Sequence, residues 1–175
     1  MLVKLDQTHR ELVHRIRSHA EGWLADKGTD QYRRGVNPEA VRRSIDHQID
    51  TGAFVGWCVD GQIVAIVALI EADAELWTPQ EVKEPQTYIS RLLVAEHQHG
   101  KGYGAALLDA VGEQGRERGD RWIRLNCWTT NTRLHAYYEA HGFEHVRTVD
   151  IPGRMSGALF QRALRTGYSP RGGAR

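Results

Sequence analysis

The segment Leu92-Leu93-Val94-Ala95-Glu96-His97-Gln98-His99-Gly100-Lys101-Gly102-Tyr103-Gly104-Ala105-Ala106-Leu107-Leu108 is the part of the chain most suggestive of chemistry. An apolar strand runs into a turn with three glycines in five residues, and the turn opens a helix. Glycine removes the side chains that would stand between backbone N–H groups and a ligand. The start of a helix adds roughly half a positive charge. Such a turn suits a phosphate or a diphosphate. A Walker-type loop needs Ser or Thr after Gly-Lys, and Lys101 is followed by Gly102. Gly100-x-Gly102-x-x-Ala105 has the spacing of a dinucleotide fingerprint. That fingerprint also needs a carboxylate near the end of the next strand, which reads Asn126-Cys127-Trp128-Thr129-Thr130.

Other reactive residue types have plainer readings. Cys127 is a lone cysteine on a strand, the usual place of a small buried hydrophobe. His97-x-His99 lacks the further ligands of a metal site. Tyr137 and Tyr138 are adjacent on a helix and point about 100° apart, and Tyr137 reads as the core aromatic of the two. The stretch 71–86 carries Asp73, Glu75, Glu81 and Glu84. It reads as a solvated face or as an attractor of a cationic ligand.

The elements around these residues follow from periodicity. Thr8 and Glu11 form a capping box ahead of a helix with apolar residues at 12, 13, 16, 20, 23 and 24, which places Trp23 in the core; Gly28 stops it. Asn37-Pro38 opens a second helix that Gly52 ends. Residues 53–59 and 62–70 form a hairpin about Asp60-Gly61. The unbroken apolar run Ile63 to Ile70 predicts a strand covered on both faces. A strand is predicted over 87–94, a helix over 102–118, a strand over 122–127 and a helix over 131–141. Two closing strands are predicted over 143–150 and 155–164. This order predicts a mixed α/β layer with antiparallel and parallel pairings.

Composition narrows the function classes. With 23 Lys+Arg against 22 Asp+Glu, the net charge of +1 gives no broad case for nucleic acid or an anionic membrane. Two cysteines exclude a disulfide framework and a four-cysteine zinc site. The longest apolar run, eight residues, is too short to cross a membrane, and no signal peptide is evident. The expectation is a cytoplasmic single domain over residues 1–165, with a Gly- and Arg-rich tail over 166–175.

Two motifs together point further. His99-Gly100-Lys101-Gly102-Tyr103-Gly104 resembles the pyrophosphate loop of the Gcn5-related N-acetyltransferases, a pattern of Gln/Arg-x-x-Gly-x-Gly/Ala. Asn131-Thr132-Arg133-Leu134-His135-Ala136-Tyr137-Tyr138-Glu139-Ala140-His141-Gly142-Phe143 is similar to that family's second signature, an Asn, a helix, then Tyr-Glu-x-x-Gly-Phe. The resemblance covers residues 87–150 by motif and the chain by element order. It departs at His99, where the family carries Arg or Gln; His is shorter and lacks the arginine fork.

The resemblance implies an acyl-CoA N-acyltransferase fold: a central mixed twisted sheet with a splayed central strand and helices on both faces. It implies acetyl-CoA as acyl donor and direct attack by a primary amine. Leu92, Leu93 and Val94 would pair with the pantetheine arm through their backbone, and one N–H there would polarise the thioester carbonyl. Backbone N–H groups of His99, Gly100, Lys101, Gly102, Tyr103 and Gly104 would hold the pyrophosphate. Asn131 would touch the pantetheine or acetyl end. Tyr138 would protonate the departing thiolate. Glu71, where a strand meets the acidic loop, is the first candidate to take the amine proton; water is the other. The acceptor is expected to be a small-molecule amine, with a protein N-terminus or lysine as the alternative. A non-catalytic acyl-CoA sensor is the alternative of another class. Asp30 and Tyr32 are further candidates for acceptor contact. Trp23, Trp77 and Trp128 are aromatic candidates for the acceptor pocket, although periodicity favours the core for Trp23. A homodimer is an expectation by family analogy.

Overall fold

The computed structural model describes residues 1–31 and 37–164. Among the described residues, seven strands form one sheet: β1 (Leu2–Lys4), β2 (Phe54–Val59), β3 (Gln62–Ile70), β4 (Gln86–Val94), β5 (Trp122–Cys127), β6 (Glu144–Thr148) and β7 (Ala158–Ala163). Their order is β1-β2-β3-β4-β5-β7-β6. Only β4 and β5 pair in parallel; the other pairings are antiparallel. The helices are α1 (Arg10–Asp26), α2 (Pro38–Asp50), α3 (Pro79–Lys83), α4 (Tyr103–Glu117) and α5 (Thr132–Ala140).

The apolar run of β3 has the expected double cover. Ala65 and Val67 pack with Leu107, Leu108 and Val111 of α4. Ile66 and Ala68 face the other way, against Val13 and Ile16 of α1 and Ile45 and Ile49 of α2. Side chains alternate along a strand, so a central strand between two helical layers must be apolar at every position. The hairpin turn is also as expected, with positive φ at Asp60 (48°) and Gly61 (77°).

Some local expectations need correction. The cap ahead of α1 is Asp6, not Thr8. Asp6 Oδ1 accepts from Thr8 N at 2.9 Å and from the Thr8 hydroxyl, and a short 3₁₀ turn over Gln7–His9 precedes the helix. The carboxylate is the stronger acceptor and engages the Thr8 hydroxyl that would otherwise cap. The three-residue β1 is too short to stand out as a pattern, and it pairs with the edge of β2. α3 sits inside the acidic stretch, opened by a Thr78/Glu81 capping box with Pro79 in the first turn.

Two irregularities in β4 shape the centre of the molecule. Its pairing with β5 runs only from Gln86↔Trp122 to Ile89↔Leu125. Beyond Ile89 the two strands part, while β5 continues along β7 to Cys127. On the β3 side the register slips between Ile66 and Ala68, so Arg91 and Leu92 stand opposite the single residue Val67. Arg91 takes φ of 55° in this bulge. Its guanidinium donates to Gln48 Oε1 at 2.9 Å and Ser44 Oγ at 3.1 Å, both on α2.

Candidate active site

The gap between β4 and β5 opens into a cavity of about 940 Å³. Leu92, Leu93 and Val94 line one wall, on the edge of β4 that β5 leaves. Hydrogen bonding with β3 uses the opposite edge, through Leu93↔Ile66 and Val94↔Ala65. An open strand edge offers alternating N–H and C=O groups to an extended ligand.

The glycine-rich turn closes one end of the cavity. Gly100 and Gly102 have φ of 80° and 77°, and a Cβ on either would project into open space. Gly102 is the N-cap of α4 and makes no side-chain cap hydrogen bond among the described residues. The first turn of α4 contains no acidic residue. A fifteen-residue helix therefore presents its unsatisfied N–H groups and dipole to the cavity. These features fit a diphosphate, and the open strand beside them fits an extended arm.

Not every residue of the turn faces inward. Lys101 is exposed, bonds Gln98 Oε1 at 3.0 Å, and does not line the cavity; its backbone alone belongs to the turn. His99 does line it, with its ring stacked flat on Trp23. Tyr103 and Gly104 are in the wall. Gly104 has a packing reason to be glycine, because a Cβ there would lie 2.7 Å from the Tyr137 hydroxyl.

α5 brings both tyrosines to the cavity, a correction to the reading of Tyr137 as core alone. Tyr138 is buried against Phe143 and Phe160, with ring centroids 5.4 and 5.9 Å away. Burial pushes the Tyr137 phenol up to about 12. Asn131 is buried at the start of α5, and its side chain is held at both ends. The oxygen accepts from Leu134 N at 3.1 Å, and the nitrogen donates to Gln31 Oε1 at 2.6 Å. Cys127 also lines the cavity, and burial raises its thiol to about 12, as the plain reading of a buried hydrophobe requires. Among the described residues no cluster of His, Cys, Asp and Glu could hold a metal ion.

Glu71 stands exposed just past β3 and lines the cavity. The other acids of that stretch do not attract from a distance, because arginines hold them. Arg154 pairs with Asp73 and, at 3.0 Å, with Glu75. Arg147 binds Glu81 at 2.6 Å and Arg124 binds Glu84 at 2.5 Å. The Arg147 guanidinium pulls the Glu81 carboxyl down to about 2.

The remaining candidates fall differently. Trp23 is not core: it is 42% exposed and lines the cavity. Trp77 is buried behind it and donates to the Tyr88 hydroxyl at 3.1 Å. Trp128 lines the cavity, with its indole N–H on Asp30 Oδ1 at 2.8 Å. Asp30 thus holds the turn before α5. Tyr32 and the segment 166–175 lie outside the described residues. Sequence reasoning missed the floor of the gap, where the Tyr88 hydroxyl donates to Asn126 Oδ1 at 2.6 Å and Asn126 Nδ2 donates to the Ser156 carbonyl at 2.8 Å. Desolvation raises the Tyr88 pKa, so its phenol keeps its proton. No local pattern marks these residues, which meet across three separate segments.

Comparison with known proteins agrees with this geometry. A solved acetyltransferase of the GNAT family from Streptococcus agalactiae 2603 superposes with a TM-score of 0.78 at 15% identity, over 95% of this chain and 96% of that one. The structure of yncA, described as a putative acetyltransferase from Salmonella typhimurium with its cofactor acetyl-CoA, gives 0.61 at 14% identity, over 98% and 97% of the two chains. An uncharacterized N-acetyltransferase of Bacillus subtilis (strain 168), YesJ, is 29% identical over 127 residues, 70% of this chain and 69% of its own length. The profile of the acetyltransferase (GNAT) family matches residues 18–143, and the chain belongs to that family.

Proposed function

We propose that this acyltransferase moves the acetyl group of acetyl-CoA to the primary amine of a small molecule. The observation that carries the reading is the meeting, in one cavity, of an unpaired strand edge, an uncapped helix start and a buried phenol. A yncA structure holding acetyl-CoA supports the choice of donor. Bound acetyl-CoA supplies a thioester carbonyl, at which the C–N bond forms and from which the C–S bond breaks.

The residues of the chain then divide the work. Backbone N–H groups from Gly100 to Gly104 hold the diphosphate. The backbone of Leu92 to Val94 aligns the arm as an added strand, and one N–H polarises the carbonyl. Tyr138 gives its phenolic proton to the departing thiolate, and Glu71 takes the proton that the attacking amine loses. Asn131 keeps the start of α5 against the arm, since its side-chain amide is already engaged by Leu134 and Gln31. Ser44 and Gln48 of α2 line the cavity together with Arg154 and Ser156, and these polar groups support a small polar acceptor.

The test is thiol release from acetyl-CoA across a panel of small amines, N-terminal peptides and lysine peptides. Turnover with small amines is the expected result. Turnover with peptides alone would replace the acceptor class. Tight donor binding without turnover of any acceptor would favour a sensor.

A further inference from the structure

The C-terminal part of α1 docks on the glycine-rich turn as well as on the sheet. His19 Nε2 lies 3.2 Å from Glu96 Oε2. One turn later, the Trp23 indole lies flat on the His99 imidazole, with centroids 4.7 Å apart and planes 7° apart. Lys27 places its ammonium 5.7 Å from the centre of the same indole. All of Trp23, Lys27 and His99 line the cavity. A tryptophan 42% exposed on a helix contributes little to a core, so its contact with the loop needs another reason. A histidine on a glycine-rich turn could otherwise take several rotamers, whereas an imidazole stacked on a helix-borne indole is confined to one plane. Burial also lowers the imidazole pKa, which favours the neutral ring with a single N–H.

We propose that Trp23 is a positioning residue for the donor: it fixes the His99 ring so that its N–H meets the diphosphate beside the backbone N–H groups of the turn. This rests on the reading of the turn as the donor site. The contact adds a side-chain donor to an anion site otherwise built from backbone, and it ties α1 to the state of the loop.

The test is a double-mutant cycle read by calorimetric titration of acetyl-CoA, using Trp23→Ala, His99→Ala and the double variant, with Trp23→Phe as the conservative replacement. Trp23→Ala should weaken binding about 5- to 10-fold. The double variant should bind no more weakly than His99→Ala alone, and Trp23→Phe should restore most of the loss. In NMR spectra the His99 ring protons should be shifted upfield in the parent and in Trp23→Phe, and should return to ordinary positions in Trp23→Ala. Competition by S-acetylpantetheine, which has the arm but no diphosphate, should be unchanged in Trp23→Ala. Additive losses in the cycle, or equal loss for both ligands, would overturn the positioning role. Failure of the parent protein to bind acetyl-CoA would overturn the donor-site reading, and this inference with it.

Discussion

The glycine-rich turn at 95–102 and the acidic stretch at 71–86 both look chemically active in the sequence, and the structure separates them. The turn opens on the cavity with positive φ at Gly100 and Gly102 and an uncapped helix behind it. The acidic stretch folds onto the sheet, and Arg124, Arg147 and Arg154 hold its carboxylates. Glycine acts through the backbone, and a backbone pattern is local, so its availability can be read from spacing. A carboxylate acts through its charge, and its availability depends on partners 40 to 81 positions away along the chain. Of that stretch, only Glu71 both lines the cavity and makes no ion pair among the described residues.

Substitutions can break this contrast. Gly102→Val should have the largest effect on donor binding. It strains a φ of 77° and adds a branched side chain to the turn, and loss of at least about 30-fold in acetyl-CoA affinity is expected from roughly 2 kcal/mol. Calorimetry checks this, with thermal unfolding of the free variant to show that it is folded. Tyr138→Phe should lower kcat about 10²-fold with the affinity for acetyl-CoA nearly unchanged, as steady-state kinetics beside calorimetry would show. Glu71→Gln should lower kcat/KM for the amine about 3- to 10-fold, an effect limited because water can also carry the proton. Steady-state kinetics at varied amine concentration, with the affinity for acetyl-CoA unchanged, checks this.

Glu81→Gln should leave turnover unchanged and lower stability at pH 7 by about 1 kcal/mol. Glu81 has its folded pKa pulled from 4.5 to about 2, so its contribution is present above the unfolded value and is lost as pH falls through that window. Urea unfolding should therefore show the parent and the variant converging between pH 4.5 and 2. A large loss of activity in Glu81→Gln would break the distinction between the two loops.

Much of the fold was legible because single elements carried several agreeing signals. Asn37-Pro38 both caps and starts α2, and its side chain accepts from Glu39 and Ala40 as expected. The strand 122–127 was read at its observed bounds. The glycine at 115 in α4 has a reason that only the fold supplies: a Cβ there would fall 2.4 Å from the Thr87 hydroxyl, which requires knowing that β4 lies beneath it. Trp23 shows the opposite failure. Helical periodicity places it on the buried stripe, but the residue is 42% exposed and its indole meets His99 instead. The site was legible where motifs are local, and illegible where Tyr88, Asn126 and Ser156 meet across the gap.

The central claim is that the open turn and the unpaired strand edge hold acetyl-CoA. Thermal unfolding with and without acetyl-CoA, with NAD as the control, tests it most directly. At 100-fold excess over its dissociation constant, a ligand adds about 2.7 kcal/mol, a shift of about 5–10 °C for a domain of this size. That shift is expected with acetyl-CoA, none with NAD, and at most about 3 °C with the same acetyl-CoA concentration in Gly102→Val. No shift of the parent with acetyl-CoA, or a shift with NAD alone, would contradict it.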